Sequence, residues 1–200
     1  AAEAEAARSR PIVTAGLPPP PQSVAPYFVE EVRKHLESKF GAQRLYETGL
    51  GVRTGLDVRL QETANRAVDD GLRRVDRRHG WRAPRRNVLT EQRSIDAFKL
   101  PRWDLPMSAG DVVPAVVEAV EPARIRVRIG VERAEIGRDG FAWTRRASAA
   151  QIVKVGDLVE ARLLPREAGR PQMASLEQEP LLEGALLAVE NRTGQVLAMV

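Results

Sequence analysis

Apolar residues recur every four positions between Pro26 and Gly41, with Phe28, Val32, Leu36 and Phe40 on one side and Glu30, Glu31, Arg33, Lys34 and Glu37 on the other. That period predicts an amphipathic helix opened by Pro26 and ended by Gly41. Residues 50–54, Leu-Gly-Val-Arg-Thr, alternate and read as a short strand. Asp57 then caps a second helix whose expected buried face is Leu60, Ala64, Ala67 or Val68, Leu72 and Val75. From Asp111 the period changes to two. Residues 112–120 form a long apolar strand, and in residues 124–129 each arginine faces out and each Ile or Val faces in. Gly130, the 137–140 turn and Gly156-Asp157 separate further strands expected at 131–136, 141–144, 158–164 and 172–178. Short strands with glycine turns predict a small antiparallel barrel of OB-like or S1-like type. Pro114 marks the first strand as an edge, or as bulged.

Residues 185–189 and 196–200 are near-continuous apolar runs joined by Asn191-Arg192-Thr193-Gly194. Such runs belong to strands covered on both faces, and an isolated strand pair is marginal in water. The expectation is an unfinished hairpin of a larger domain, with this chain a piece of a longer protein. At the other end, residues 1–10 read as the end of a helix, broken by Pro11, and residues 16–23 as a polyproline-type linker. The fold class is therefore α+β: an upstream tail and linker in residues 1–25, a helix-strand-helix unit with a loop in 26–108, an OB-like barrel in 109–178 and a truncated hairpin in 179–200.

Composition adds limits. With 200 residues and 43% hydrophobic content, one or two ordinary cores are within reach. No cysteine is present, so disulfides and thiolate metal sites are excluded. No apolar run approaches the roughly 18–20 residues of a membrane span, and Ala1-Ala-Glu-Ala-Glu lacks the features of a signal peptide. Thirty-one basic residues against 27 acidic ones give a net charge of +4, the signature of a mixed exterior rather than a polyanion-binding surface.

Candidate chemistry is sparse. No serine is followed three residues later by lysine, the spacing of an acylated serine and its base. Arg192-Thr193-Gly194 imitates a Lys-Thr-Gly strand motif but lies at a hairpin tip, and is read as a turn. His35 and His79 stand apart with no ligands at metal spacing. Asp69 and Asp70 diverge by about 100° on a helix and are assigned to pairing with Arg66, Arg73 and Arg74. Residues 73–86 hold seven arginines and Trp81. A polyanion site is one reading; a helix end whose cations answer the dipole and acidic neighbours is the favoured one. On the barrel, Arg124, Arg126 and Arg128 form a stripe, and Phe141 and Trp143 are placed on one strand face. Cations beside stacking aromatics are what single-stranded nucleic acid requires, but Glu118, Glu121, Glu132, Glu135 and Asp139 are interleaved and repel phosphates.

Three segments carry a resemblance: residues 25–33 (Ala-Pro-Tyr-Phe-Val-Glu-Glu-Val-Arg), 51–61 (Gly-Val-Arg-Thr-Gly-Leu-Asp-Val-Arg-Leu-Gln) and the hairpin 184–200. Together with Gly80-Trp81-Arg82, residues 110–114 and 155–157, the chain resembles the bifunctional class A penicillin-binding proteins of the type 1A branch. Residues 86–106 match poorly, and Gly55 and Val58 stand where the family usually has Thr and Pro. The resemblance implies a parent that polymerises lipid-linked disaccharide and cross-links stem peptides at the periplasmic face of the bacterial inner membrane, anchored outside this chain. It implies that both active sites also lie outside it, and that no cofactor is held here. What remains would be an interdomain linker and an OB-like module. Its expected partners are the other domains of the parent, and a regulatory outer-membrane lipoprotein or peptidoglycan. Arg124, Arg126, Arg128, Phe141 and Trp143 are the candidate contacts. The rival reading is an S1-like single-stranded RNA-binding module.

Overall fold

The computed structural model describes residues 23–200. The expected upstream helix end and nearly all of the polyproline stretch lie outside them. Helix α1, Pro26–Phe40, starts on proline and ends where Gly41 takes φ 81° and donates its N–H to the Glu37 carbonyl at 2.8 Å. A proline suits the first helical position because its missing N–H would have no partner there. A short helix, α2 (Ala42–Glu47), follows that the periodicity did not announce. Residues 50–54 join no ladder, contrary to the expected strand. The edge nearest to them is already occupied, as described below, and an extended segment without a pairing partner has no strand to form.

Helix α3, Val58–Arg78, begins at Asp57, whose Oδ1 accepts from Leu60 N at 3.0 Å. Its buried residues are Gln61, Ala64, Arg73 and Asp76, while Leu60 and Val75 are exposed. The buried face is thus turned by about one residue from the hydropathy expectation. Side chains with several hydrogen bonds to make set the rotation, because burying them unpaired costs more than exposing a leucine and a valine.

Five strands close a barrel in the order β1-β2-β3-β5-β4: β1 Val112–Glu121, β2 Arg124–Ile129, β3 Glu132–Gly137, β4 Leu158–Leu163 and β5 Gln172–Glu177. All pairings are antiparallel except β3 with β5. Residues 112–115 of β1 pair only with β4, and pairing with β2 begins at Val116. Pro114 therefore sits where one side of β1 has no neighbouring strand, as its missing N–H requires. The bulge falls later, between Val117 and Ala119.

Residues 141–144 are not a strand. Arg138–Phe141 makes one helical turn and Ala142–Thr144 a 3-10 turn. This segment drops Phe141 into the barrel core beside Ile125, Ile136 and Leu176, all fully buried. Gly140 lets it approach β5: a Cβ there would stand 2.9 Å from the Ala174 carbonyl. Residues 87–107 form a strap over the barrel whose Val88, Phe98 and Trp103 join the same core.

The last two strands, β6 Leu187–Val189 and β7 Val196–Met199, form a separate hairpin. Its tip, with Gly194 at φ 73°, is the expected turn. β7 lies against α3 and α1, with Ala198 fully buried, whereas Leu187 and Val189 of β6 are exposed. The described residues cover the hairpin on one side only.

Candidate interaction site

The structure separates the five residues proposed from sequence. Arg124 and Arg126 are exposed on the outside of β2 and face carboxylates, Arg124 with Glu135 at 3.3 Å and Arg126 with Glu121 at 3.9 Å. Arg133 pairs with Glu118 at 2.9 Å on the same surface. The outer ladder is a mixed lattice of exposed pairs, each worth no more than about 1 kcal/mol, and not a cationic groove. Phe141 belongs to the core. Trp143 lies at the barrel end, its Nε1 donating to the Leu176 carbonyl at 3.0 Å and its ring meeting Trp81 edge-on at 5.7 Å.

Arg128 is the larger departure. It points outward like its neighbours, yet the strap covers it to 7% exposure. Its guanidinium donates to the carbonyls of Gly130, Ile95 and Phe98 and stacks on Trp103, 5.1 Å from the ring centroid. Trp103 in turn donates Nε1 to the Pro114 carbonyl at 2.7 Å. Arg128 therefore fastens the strap to the barrel.

A denser polar site lies between α3 and the barrel. Arg73 reaches Glu160 of β4 at 2.5 Å, the Gln178 carbonyl at 2.9 Å and Asp69 of its own helix at 2.9 Å. Arg77 donates to Glu177 Oε1 at 2.5 Å, and its guanidinium lies over Trp143 at 5.1 Å. Arg162 of β4 binds the same Glu177 oxygen at 2.9 Å and Asp70 at 2.8 Å. Asp76 accepts from Arg82 and from Gln178 Nε2, both at 2.7 Å, and from the Leu181 N–H at 3.3 Å. Arg73, Asp76, Glu177 and Gln178 are all buried. Burial alone would push the Asp76 carboxyl up, but Arg82 and the two hydrogen-bond donors outweigh it and hold the group below its ordinary 3.8. Burial likewise opposes charge on Arg73 and Arg162, and their carboxylate partners more than restore it.

This seam takes up three of the seven arginines in residues 73–86. Arg73, Arg77, Arg82 and Arg86 all have carboxylate partners, the last in Glu91 at 2.9 Å. Four of the seven arginines in the run are thus answered by acids, the arrangement that the helix-end reading expects. Asp69 pairs with Arg73 as expected, and Asp70 pairs with Arg162 rather than with a helix neighbour. Glu160, Arg162, Glu177 and Gln178 carried no local signal. Their partners on α3 lie more than eighty residues away, and nothing in a two-residue period says what the outer face of a strand will meet.

At the opposite end of α3, Gln61 is fully buried and its amide holds β7: Oε1 accepts from Met199 N and Nε2 donates to Met199 O, each at 2.8 Å. Asp57 N donates to Leu197 O at 2.9 Å. One helix thus grips the barrel and the hairpin.

The penicillin-binding protein OB-like domain family matches residues 81–182, more than half of the chain. The chain belongs to that family. Its relatives include penicillin-binding protein 1A of Rickettsia typhi, 32% identical over 174 residues, which are 86% of this chain and 21% of the relative. Penicillin-binding protein 1A of Vibrio cholerae is 28% identical over an alignment that takes in all of this chain and 26% of the relative. The crystal structure of penicillin-binding protein 1A from Haemophilus influenzae superposes with a TM-score of 0.70 at 24% identity, covering the whole chain and 28% of that structure. The chain thus spans about a quarter of the length of the relatives it matches, and the resemblance drawn from residues 25–33, 51–61 and 184–200 is borne out. The closed five-stranded barrel is the OB-like domain of this family.

Proposed function

We propose that this chain is the non-catalytic joining and interaction portion of a bifunctional peptidoglycan synthase. Residues 26 to about 80 act as the linker unit, the OB-like interaction module of residues 109–178 takes in the strap 87–107 that packs into its core, and residues 179–200 act as the first strands of the transpeptidase domain. The parent would polymerise glycan strands and cross-link their peptides at the periplasmic face of the bacterial inner membrane. The observation that carries this reading is α3, whose C-terminal half is ion-paired to the barrel and whose N-terminal half is hydrogen-bonded to β7. A part built to hold two other parts in register has the architecture of a linker. In support, no serine in the chain has a lysine three residues on. A fluorescent β-lactam should label the full-length parent and leave the 200-residue chain unlabelled; labelling of this chain at a defined residue would overturn the proposal.

For the module's partner, a regulatory outer-membrane lipoprotein or peptidoglycan, the exposed contacts are Arg124 and Arg126, with the partly exposed Trp143 at the barrel end. Arg128 and Phe141 would act from beneath the surface by shaping it. Reversing the charge of Arg124 and Arg126 together should weaken partner capture by the parent and flatten its salt dependence. Unchanged capture would remove these residues from the contact. The paired outer ladder speaks against single-stranded RNA, so titration with an oligoribonucleotide at low salt should be flat.

A further inference from the structure

We propose that α3 is a coupling rod that transmits movement of the barrel to the edge strand β7. The inference concerns the chain itself and does not depend on what the barrel binds. Both ends of the rod are held by directional polar contacts. At one end, Gln61 does for Met199 what a neighbouring strand would do, giving one acceptor and one donor to the same residue. Asp57 adds a backbone bond to Leu197. Gln61 is itself steadied by Asn65, which accepts from its Nε2 at 2.9 Å and donates to the Val24 carbonyl at 2.8 Å. At the other end, Arg73, Arg77 and Asp76 engage Glu160, Glu177 and Gln178.

Apolar surfaces tolerate sliding, whereas a hydrogen bond weakens steeply once its angle or distance changes. The contacts at both ends must therefore move with the helix or break. The 16 residue steps from Gln61 to Arg77 span about 24 Å at 1.5 Å per residue, a distance that no single side chain bridges.

The test is site-resolved amide hydrogen exchange on the 200-residue chain. Glu160→Gln with Asp70→Asn loosens the seam at partly exposed carboxylates, leaving the barrel core in place. Exchange at Met199 and Asp57 should then accelerate threefold or more, while Ile125 and Val127 inside the barrel keep their protection. Reciprocally, Gln61→Ala should accelerate exchange in β4 and β5, because coupling between two sites is equal in both directions. Ala67→Gly, which softens the helix between the clamps and touches neither, should shrink the effect of the seam variant on Met199. If the seam variant leaves Met199 and Asp57 at the parent rate with Ile125 protected, the rod is wrong. If Ala67→Gly leaves the long-range effect unaltered, any coupling runs outside α3 and the assignment also fails.

Discussion

Arg128 is a buried cation whose partners are carbonyl oxygens and an indole face rather than a carboxylate. Its planar fork can serve several carbonyls at once, which an ammonium cannot reproduce. Arg128→Ala should cost about 2–4 kcal/mol by leaving those carbonyls unpaired, and limited proteolysis should then cut within residues 87–107 first. Arg128→Lys should recover little of the loss. Asp76 titrates against stability in a defined direction. Its carboxyl lies below the ordinary 3.8 when folded, so its contribution is present above about pH 4 and is lost as pH falls through the folded value. Asp76→Asn should lower the urea midpoint at pH 7 and flatten the acid limb of the stability curve below pH 4. At this scale the sequence was partly legible. Period two showed which way Arg128 points, but not that residues 87–107 would lie on top of it, since that loop carries no period of its own.

Among the elements, the two long helices and all five barrel strands follow from periodicity and turn residues, whereas one further strand expected on the barrel does not form. The exception, residues 141–144, has the aromatics and Thr of a strand, but its place is decided by the barrel end that Phe141 must fill. Residues 50–54 fail as a strand for the complementary reason: the nearby edge of β7 is taken by Asp57 and Gln61. Turn glycines, by contrast, report directly on geometry. Gly156 sits at φ 87°, and a Cβ there would stand 2.7 Å from Asn87 Oδ1 and 2.8 Å from Leu89 Cγ. It is also the joint between strap and barrel, its carbonyl accepting from Val88 N at 2.8 Å. Gly156→Ala should therefore destabilise by about 1–3 kcal/mol from strained backbone and displaced neighbours together, seen as a lower thermal midpoint with weakened protection of Val88.

Across the whole molecule, the α3 seam and the outer ladder are both made of charged pairs but differ in burial, and so in consequence. Glu177 is 1% exposed and serves both Arg77 and Arg162. Removing it leaves two cations short of their counter-charge, and Glu177→Ala should cost about 3–5 kcal/mol in urea unfolding. Glu121→Ala, on the exposed pair with Arg126, should cost under about 1 kcal/mol. Equal losses at the two sites would contradict the distinction. The sequence by itself determined the α+β class, the small barrel, the turn positions and the family, because periodicity, glycines and short matching segments are local properties of the chain. Only the tertiary structure decided which face α3 buries, where Arg128 ends, and that Arg73, Arg77 and Gln61 make one helix the tie between barrel and hairpin. Those outcomes depend on partners far along the chain, and a buried polar group takes its meaning from whatever satisfies it.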